Sequence, residues 1–114
     1  MESLVASRGD GRRVFRLGRG ETLDLRSDYE AGRPPRKHQK TNALLHMGLT
    51  TWSDANQAAE VNRLFDGRLG DRIVTITLDG DRGIWFADTL GPGHYTIWGR
   101  SSDLEDSVVE VRPV

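Results

Sequence analysis

The sequence predicts a single α+β domain, with a largely antiparallel sheet, one main packed helix and a second short helix. A chain of 114 residues can bury one modest core, and two separate cores are not expected at this length. Several short β-prone runs are separated by turns rich in Gly and Asp, whereas one long run carries apolar residues at helical spacing. Strands that surround few helices in this order favour an antiparallel sheet.

The N-terminal part predicts a flexible segment, a strand and a short helix. We predict that residues 1–11 are flexible and that the domain comprises residues 12–114. Residues 12–17 alternate in polarity and are rich in β-prone types, which predicts the first strand. Residues 22–31 predict a short helix, which Gly32 would end.

Residues 32–42 predict a basic loop. The adjacent prolines Pro34 and Pro35 fit neither a helix interior nor a central strand. The loop carries four positive charges and no acid, at Arg33, Arg36, Lys37 and Lys40. Two interpretations remain open: a solvated surface loop, and a contact for phosphate or another anion.

The main helix follows a short apolar run. Ala43–Met47 predicts a short strand, and residues 48–52 lead from it into the helix. Ser53 is a suitable N-cap, and Asp66-Gly67 is a typical helix end. The helix would pack through one apolar stripe, formed by Ala55, Ala58, Ala59, Val61, Leu64 and Phe65.

The C-terminal half supplies the strands that this stripe would cover. The predicted strands are Arg72–Leu78, Ile84–Ala87, His94–Trp98 and Ser107–Arg112, and Ser102–Glu105 predicts one helical turn. Alternation within a strand places side chains on opposite faces, so His94 and Thr96 would point one way and Tyr95 the other.

The segment that begins at Asp88 concentrates polar and aromatic residues after a stiff turn. Gly91, Pro92 and Gly93 allow an abrupt reversal of the chain, and His94 opens the strand that follows. We predict that His94 converges with the early Arg16 on one shared concavity.

Composition and charge exclude several classes of protein. The chain has no cysteine, which removes disulfides, thiolate catalysis and cysteine metal sites. No apolar run reaches the roughly 18–20 residues of a membrane span, and no secretory core is present, so we predict a cytoplasmic protein without a membrane partner. The formal net charge of −1 argues against nucleic-acid binding by bulk electrostatics. Arginine outnumbers lysine 14 to 2, which favours a GC-rich bacterial or phage source.

Two histidines are candidates for chemistry. His46 lies in an apolar run, where a structural role is the commoner outcome, whereas His94 follows the glycine-proline-glycine turn, where a side chain can be held at a cleft. A metal site needs three or four converging ligands. No histidine pair with metal-ligand spacing occurs, so no metal site is predicted.

Two blocks of the sequence resemble the ADP-ribosyltransferase-like family. Val14-Phe15-Arg16-Leu17 resembles the opening strand of that family, with Arg16 in the position that grips nicotinamide dinucleotide (NAD). His46–Ser53, followed by an alanine-rich helix, resembles the block that closes over the dinucleotide in RNA phosphotransferases and related members. The resemblance covers about 95 residues in layout and about 20 in residue type, and the late Glu-x-Glu or Gln-x-Glu of the family's transferases is absent.

The resemblance implies a small domain that binds NAD, and that would cleave it to modify a macromolecular target if catalysis is retained. The implied cofactor-binding residues are Arg16, Thr50, Thr51, Trp52 and Tyr95. The implied catalytic residues are His46, His94 and Glu110, with the Glu110 carboxylate stabilising positive charge on the ribose.

Two other functions are predicted as alternatives. Residues 1–40 carry ten basic and six acidic residues, and residues 41–114 carry six basic and eleven acidic ones, so the parts have net charges of +4 and −5. Opposed charge of this kind suits a protein-interaction module or a homo-oligomer, phage- or defence-related. The basic residues 33–40 would instead suit contact with RNA or DNA.

Overall fold

The strands form one antiparallel sheet, which confirms the predicted α+β class. The computed structural model describes residues 5–19 and 25–114. Within these residues the strands are β1 (Ser7–Arg8), β2 (Asp10–Gly18), β3 (Leu49–Trp52), β4 (Arg72–Asp79), β5 (Trp85–Asp88), β6 (His94–Trp98) and β7 (Val108–Pro113). Their order across the sheet is β1-β5-β6-β3-β2-β4-β7, and every neighbouring pair is antiparallel.

The sheet curls back on itself, because β1 at one edge continues directly into β2 in the interior of the sheet. Only Gly9 separates β1 from β2, yet β1 pairs with β5 while β2 pairs with β3 and β4. The amide of Gly9 donates to the carbonyl of Ile84 at 2.8 Å. A Cβ at Gly9 would lie 2.5 Å from the carbonyl oxygen of Leu78. We call this junction, Ser7–Gly9 against Trp85–Phe86 and Leu78–Gly80, the closed seam.

The helices are short, apart from one. They are α1 (Ala43–His46), α2 (Ala55–Leu64) and α3 (Ser101–Asp106), with 3₁₀ turns at Lys37–Thr41 and Gly80–Arg82. The N-cap of α2 is Asp54 rather than Ser53, because the Asp54 carboxylate accepts from the amides of Asn56 at 2.6 Å and Gln57 at 3.3 Å. In the part of the chain that the structure describes, no helix has the length and apolar character to span a membrane.

The core has two clusters, which alternation along the strands places on opposite faces of the sheet. The first cluster is Val14, Leu25, Leu49, Val74, Ile76, Leu78, Ile84, Phe86, Ile97 and Leu104. The second packs α2 onto the sheet and comprises Leu17, Trp52, Ala58 and Ile73. The predicted stripe is therefore confirmed at Ala58, whereas Leu64 and Phe65, at the end of the helix, are largely exposed.

The expected strand at Ala43–Met47 is wrong. Most of this run forms α1, whose N-cap Asn42 accepts from the amide of Leu44 at 2.9 Å. The strand comes later, at Leu49–Trp52. An apolar run of this length is compatible with either structure, and the capping Asn decides for the helix.

Two predictions for the N-terminal part also differ from the structure. Residues 1–11, expected to be flexible, include β1 and the start of β2, both of them paired. The helix expected over residues 22–31 is wrong for its described part, where Leu25–Ser27 is irregular and residues 28–32 form turns. Its expected start lies outside the described residues.

Candidate functional site

A cleft of about 690 Å³ opens where β2 and β3 diverge. Among the described residues, the two strands pair only at Phe15 and Trp52. Beyond that pair, Arg16 and Leu17 line one side of the cleft, and residues 48–50 line the other. We call this divergence, Arg16–Gly18 against Gly48–Thr50, the open seam. A volume of this size is typical of small-molecule sites.

The lining of the cleft has a cationic part and an apolar part. The described lining residues include six arginines and one carboxylate: Arg16, Arg19, Arg26, Arg33, Arg36, Arg68 and Asp28. The apolar residues are Leu17, Leu49, Trp52, Val61, Phe65, Leu69 and Leu90. Such a combination suits an anion that also carries an apolar or flat portion.

Arg16 bridges the open seam. Its Nη1 donates to the backbone carbonyl of Thr50 at 2.9 Å, so the guanidinium crosses from β2 to β3 where the strand ladder ends. Arg19 donates to the carbonyl of Arg68, which ties the end of β2 to the loop after α2. Two cleft arginines are thus each held by a main-chain carbonyl oxygen.

Asp28 folds the basic loop against the cleft. Its carboxylate is 11% exposed and lies 2.7 Å from Arg33 Nε and 3.3 Å from Arg36 Nε. Gln39 Nε2 donates to it at 3.0 Å. Burial raises the pKa of Asp28, but the hydrogen bonds from Arg33 and Gln39 and the nearby charges of Arg36 and Arg33 outweigh it, so the pKa lies below its usual value.

His46 contacts the basic loop but does not line the cleft. Its Nε2 is 2.7 Å from the carbonyl oxygen of Arg33, and since that oxygen can only accept, Nε2 carries the proton. The ring of Tyr29 meets the His46 ring edge-on at 5.8 Å. His46 therefore positions the backbone of a cleft residue, in line with the structural role considered for it.

His94 lines the cleft and is held in one orientation. Its Nδ1 lies 2.9 Å from the carbonyl oxygen of Thr89, so Nδ1 donates. The hydroxyl of Thr89 lies 2.7 Å from that of Thr96, which fixes Thr89 in turn. Trp52 contacts the His94 ring edge-on at 5.6 Å. In the neutral ring, Nε2 is then the nitrogen that carries the lone pair.

The loop after α2 closes one end of the cleft through a buried amide. Asn62 is 4% exposed; its Nδ2 donates to the carbonyl of Gly70 at 2.8 Å, and its Oδ1 accepts from the amides of Leu69 at 3.1 Å and Gly70 at 3.2 Å. Since all these bonds are satisfied, the loop is fixed to the helix. This places Arg68 beside Leu69 and the exposed Phe65 in the lining.

The structure brings together four of the residues that the sequence analysis selected. Arg16, Thr50, Trp52 and His94 all line the cleft, so the expected convergence of Arg16 with His94 on one concavity is confirmed. Three cofactor positions therefore fall in one place, together with one of the three expected catalytic residues.

Thr51 and Tyr95 do not line the cleft. Thr51 is fully buried, and its hydroxyl donates to the carbonyl of Tyr95 at 3.0 Å. The Tyr95 ring packs edge-on against Phe86 at 5.7 Å, and its hydroxyl accepts from Arg12 at 3.0 Å. Thr51 and Tyr95 are paired across β3 and β6, and alternation places both on the face of the sheet opposite to Trp52 and His94.

Glu110 also lies away from the cleft. It is on β7, opposite Thr75 of β4, and β4 and β2 separate β7 from β3 in the sheet. Its exposed carboxylate lies 3.6 Å from Arg112 Nε. The late acid that the resemblance required is therefore not supplied by this residue.

No match to this chain was found among family models, curated proteins or solved structures. The resemblance to the ADP-ribosyltransferase-like family accordingly stays a prediction from the residues. Among the described residues, no three His, Asp or Glu side chains are grouped to hold a metal ion.

Several lining residues were not found from the sequence. Arg26 lies in the segment expected to be helical, and only the helix-ending Asp66-Gly67 marks Arg68 as a loop residue. Arg33 and Arg36 had a signal, namely the acid-free basic loop, but nothing in the sequence joined that loop to Arg16. Phe65 and Leu90 gave no sign of facing a cleft.

Proposed function

We propose that this domain binds a phosphate-bearing nucleotide in the arginine-lined cleft, with NAD as the ligand that the family resemblance implies. The observation that carries the proposal is the convergence of six arginines and one carboxylate, among the described residues, on a cavity that also contains Trp52 and His94. The proposal concerns the ligand class; the resemblance adds only the identity of the dinucleotide.

A pyrophosphate suits the cationic part of this cleft. Guanidinium groups bind phosphate oxygens through two parallel N–H donors, which adds geometric specificity to charge attraction. Arg16 approaches from β2, while Arg33 and Arg36 approach from the basic loop. A ligand bound between them would connect β2 to the basic loop across the cleft.

Binding is better supported than cleavage of the glycosidic bond. Cleavage builds positive charge on the ribose, which a carboxylate must stabilise. Glu110 is outside the cleft, and Asp28 is held by Arg33, Arg36 and Gln39. We therefore assign the described residues a binding role, in which His94 is the remaining candidate for contact with a ribose hydroxyl.

Isothermal titration tests the proposal with NAD and with inorganic pyrophosphate as separate ligands. We expect both to bind the wild-type protein, and Arg16→Ala to weaken both at least about tenfold, because one charge-assisted contact contributes about 1.5 kcal/mol or more. Arg112→Ala is the matched control, since Arg112 is an exposed arginine on β7 outside the cleft. The absence of any binding at ligand concentrations of about 1 mM would exclude the proposal.

Contact with a single-stranded nucleic acid is a second candidate. One observation favours it: Arg33 and Arg36, from the predicted anion-contact loop, lie in the same cleft as Arg16 and Trp52. Backbone charge and one stacking aromatic are the features of such sites. Filter binding to an RNA oligonucleotide at increasing salt, with and without NAD, distinguishes the two ligands.

A further inference from the structure

Leu90 has an unusual backbone conformation at the edge of the cleft. Its φ is +53°, in the left-handed region that a bulky side chain rarely adopts. Its side chain is nevertheless 55% exposed, and it lines the cleft. Burial in the core therefore does not compensate for the strain at this position.

The other described non-glycine residue with a positive φ has an ordinary explanation. Asp66, at φ +55°, precedes Gly67 at the end of α2, and short polar residues accept this conformation readily. Leu90 also precedes a glycine with a positive φ, Gly91 at +105°, but its side chain is bulky and apolar rather than short and polar. A glycine or asparagine at position 90 would suit the turn better than leucine does.

The turn that holds Leu90 is fixed on both sides. Before it, the amide of Thr89 donates to the carbonyl of His94 at 3.1 Å, and the Thr89 side chain is bonded to His94 and Thr96. On the far side of the turn, the amide of His94 donates to the carbonyl of Gly91 at 3.3 Å. The backbone of Leu90 thus has little freedom to relax.

The turn is also attached to the neighbouring helix. Gln57 of α2 donates through Nε2 to the carbonyl of Pro92 at 2.9 Å, and the amide of Ser53 donates to the carbonyl of Gly93 at 2.8 Å. These bonds hold the turn against the cleft, so the exposed leucine is held at a fixed place in the lining.

We propose that Leu90 is a specificity contact of the cleft, which packs against the flat ring of a ligand whose phosphates the arginines bind. The inference rests on the proposed function and deepens it: the cleft recognises a nucleotide, and it distinguishes a nucleotide from inorganic pyrophosphate through Leu90. Trp52, which lines the same cleft beside His94, provides a second apolar surface for the ring.

Leu90→Asn separates the strain from the contact. Asparagine tolerates a positive φ, so we expect the melting temperature to rise by about 2 to 5 °C. Loss of the apolar contact should weaken NAD binding about fivefold, while binding of inorganic pyrophosphate stays within about twofold of wild type. A stabilised protein with selectively weaker binding is the signature of strain retained for ligand contact.

Leu90→Ala provides a second variant, because alanine keeps the backbone strain and removes the contact. We expect it to weaken NAD binding to the same extent without the rise in melting temperature. Leu64→Ala is the control, since Leu64 is 73% exposed and does not line the cleft.

The outcomes separate this inference from the proposed function. If neither NAD nor pyrophosphate binds the wild-type protein, both are overturned. If both bind and the Leu90 variants leave NAD affinity unchanged, or weaken both ligands equally, the nucleotide-binding role survives and the inference about Leu90 is overturned. A melting temperature that falls in Leu90→Asn would remove the strain argument.

Discussion

The closed seam and the open seam show how one N-terminal segment, made of β1, Gly9 and β2, forms two different surfaces. At the closed seam, Gly9 brings main chain against main chain and the sheet is continuous. At the open seam, the ladder between β2 and β3 ends at the pair Phe15–Trp52, and Arg16 crosses the gap instead. The arginine-lined cleft lies at the place where the strands separate.

Two arginines of β2 differ in their side-chain contacts in the same way as the two seams differ. Arg12 forms a bidentate pair with Asp10, donates to the hydroxyl of Tyr95 and lies 4.4 Å from the centroid of the Phe86 ring. Arg16 donates to a main-chain carbonyl and lines the cleft together with other arginines. The same residue type thus stabilises packing at one end of the strand and is a candidate ligand contact at the other.

The largest expected effect comes from adding a side chain at Gly9. A Cβ there would lie 2.5 Å from the Leu78 carbonyl oxygen and 2.8 Å from the Gly80 amide, so main chain must move. We expect Gly9→Ala to lower the free energy of unfolding by about 3 kcal/mol, measured by urea denaturation.

Gly11→Ala is the control for this substitution. Unlike Gly9, Gly11 has a positive φ, of 87°, but nothing lies within 4 Å of a Cβ built there. Backbone strain alone should cost about 1 kcal/mol. Equal effects of the two substitutions would show that the closed seam tolerates a side chain.

The next effect concerns Asp28, which holds the basic loop at the open seam. Asp28→Asn removes a largely buried carboxylate with three donors, so we expect a loss of about 2 kcal/mol at neutral pH. The pKa of Asp28 in the folded protein lies below its ordinary value of 3.8, so its contribution is complete above that value. It is then lost as the pH falls through the depressed pKa.

The measurement is urea denaturation of both proteins between pH 7 and strongly acidic conditions. The wild-type protein should lose its advantage over Asp28→Asn only below about pH 4. Asp10, whose pKa is lowered chiefly by its hydrogen bond with Arg12, titrates equally in both proteins and cancels in the difference. A constant difference across the acid range would contradict the assigned role of Asp28.

Much of the fold could be predicted because it depends on local patterns. The strand His94–Trp98 was predicted with its observed bounds, and the helix at Ala55–Leu64 was predicted from its apolar stripe. The strand predicted at Ala43–Met47 was wrong because a short apolar run has no clear period. The strand at Ser7–Arg8 was not predicted, because its two residues pair with β5, far along the chain, and carry no pattern of their own.

The cleft was predictable only in part, for a related reason. Alternation placed Thr50, Trp52 and His94 on one side of the sheet, but selecting adjacent Thr51 and Tyr95 for the same site ignored that rule. Whether two strands separate depends on packing between distant segments. Nothing in Arg16 or Leu49 alone indicates that their strands diverge. The sequence therefore did not predict that the basic loop lines the same cleft.

The smallest effect is the most direct comparison of the two seams, because it exchanges one arginine at a time. Arg12→Ala should lower the free energy of unfolding by about 1 kcal/mol, through loss of its contact with the Phe86 ring, and should leave ligand binding unchanged. Arg16→Ala should instead weaken ligand binding and change the free energy of unfolding less. Urea denaturation and titration with pyrophosphate on both variants give the four values needed. If Arg12→Ala weakens pyrophosphate binding as much as Arg16→Ala does, long-range charge rather than the open seam attracts the ligand, since Arg12 makes its contacts at the Phe86 and Tyr95 side of the sheet.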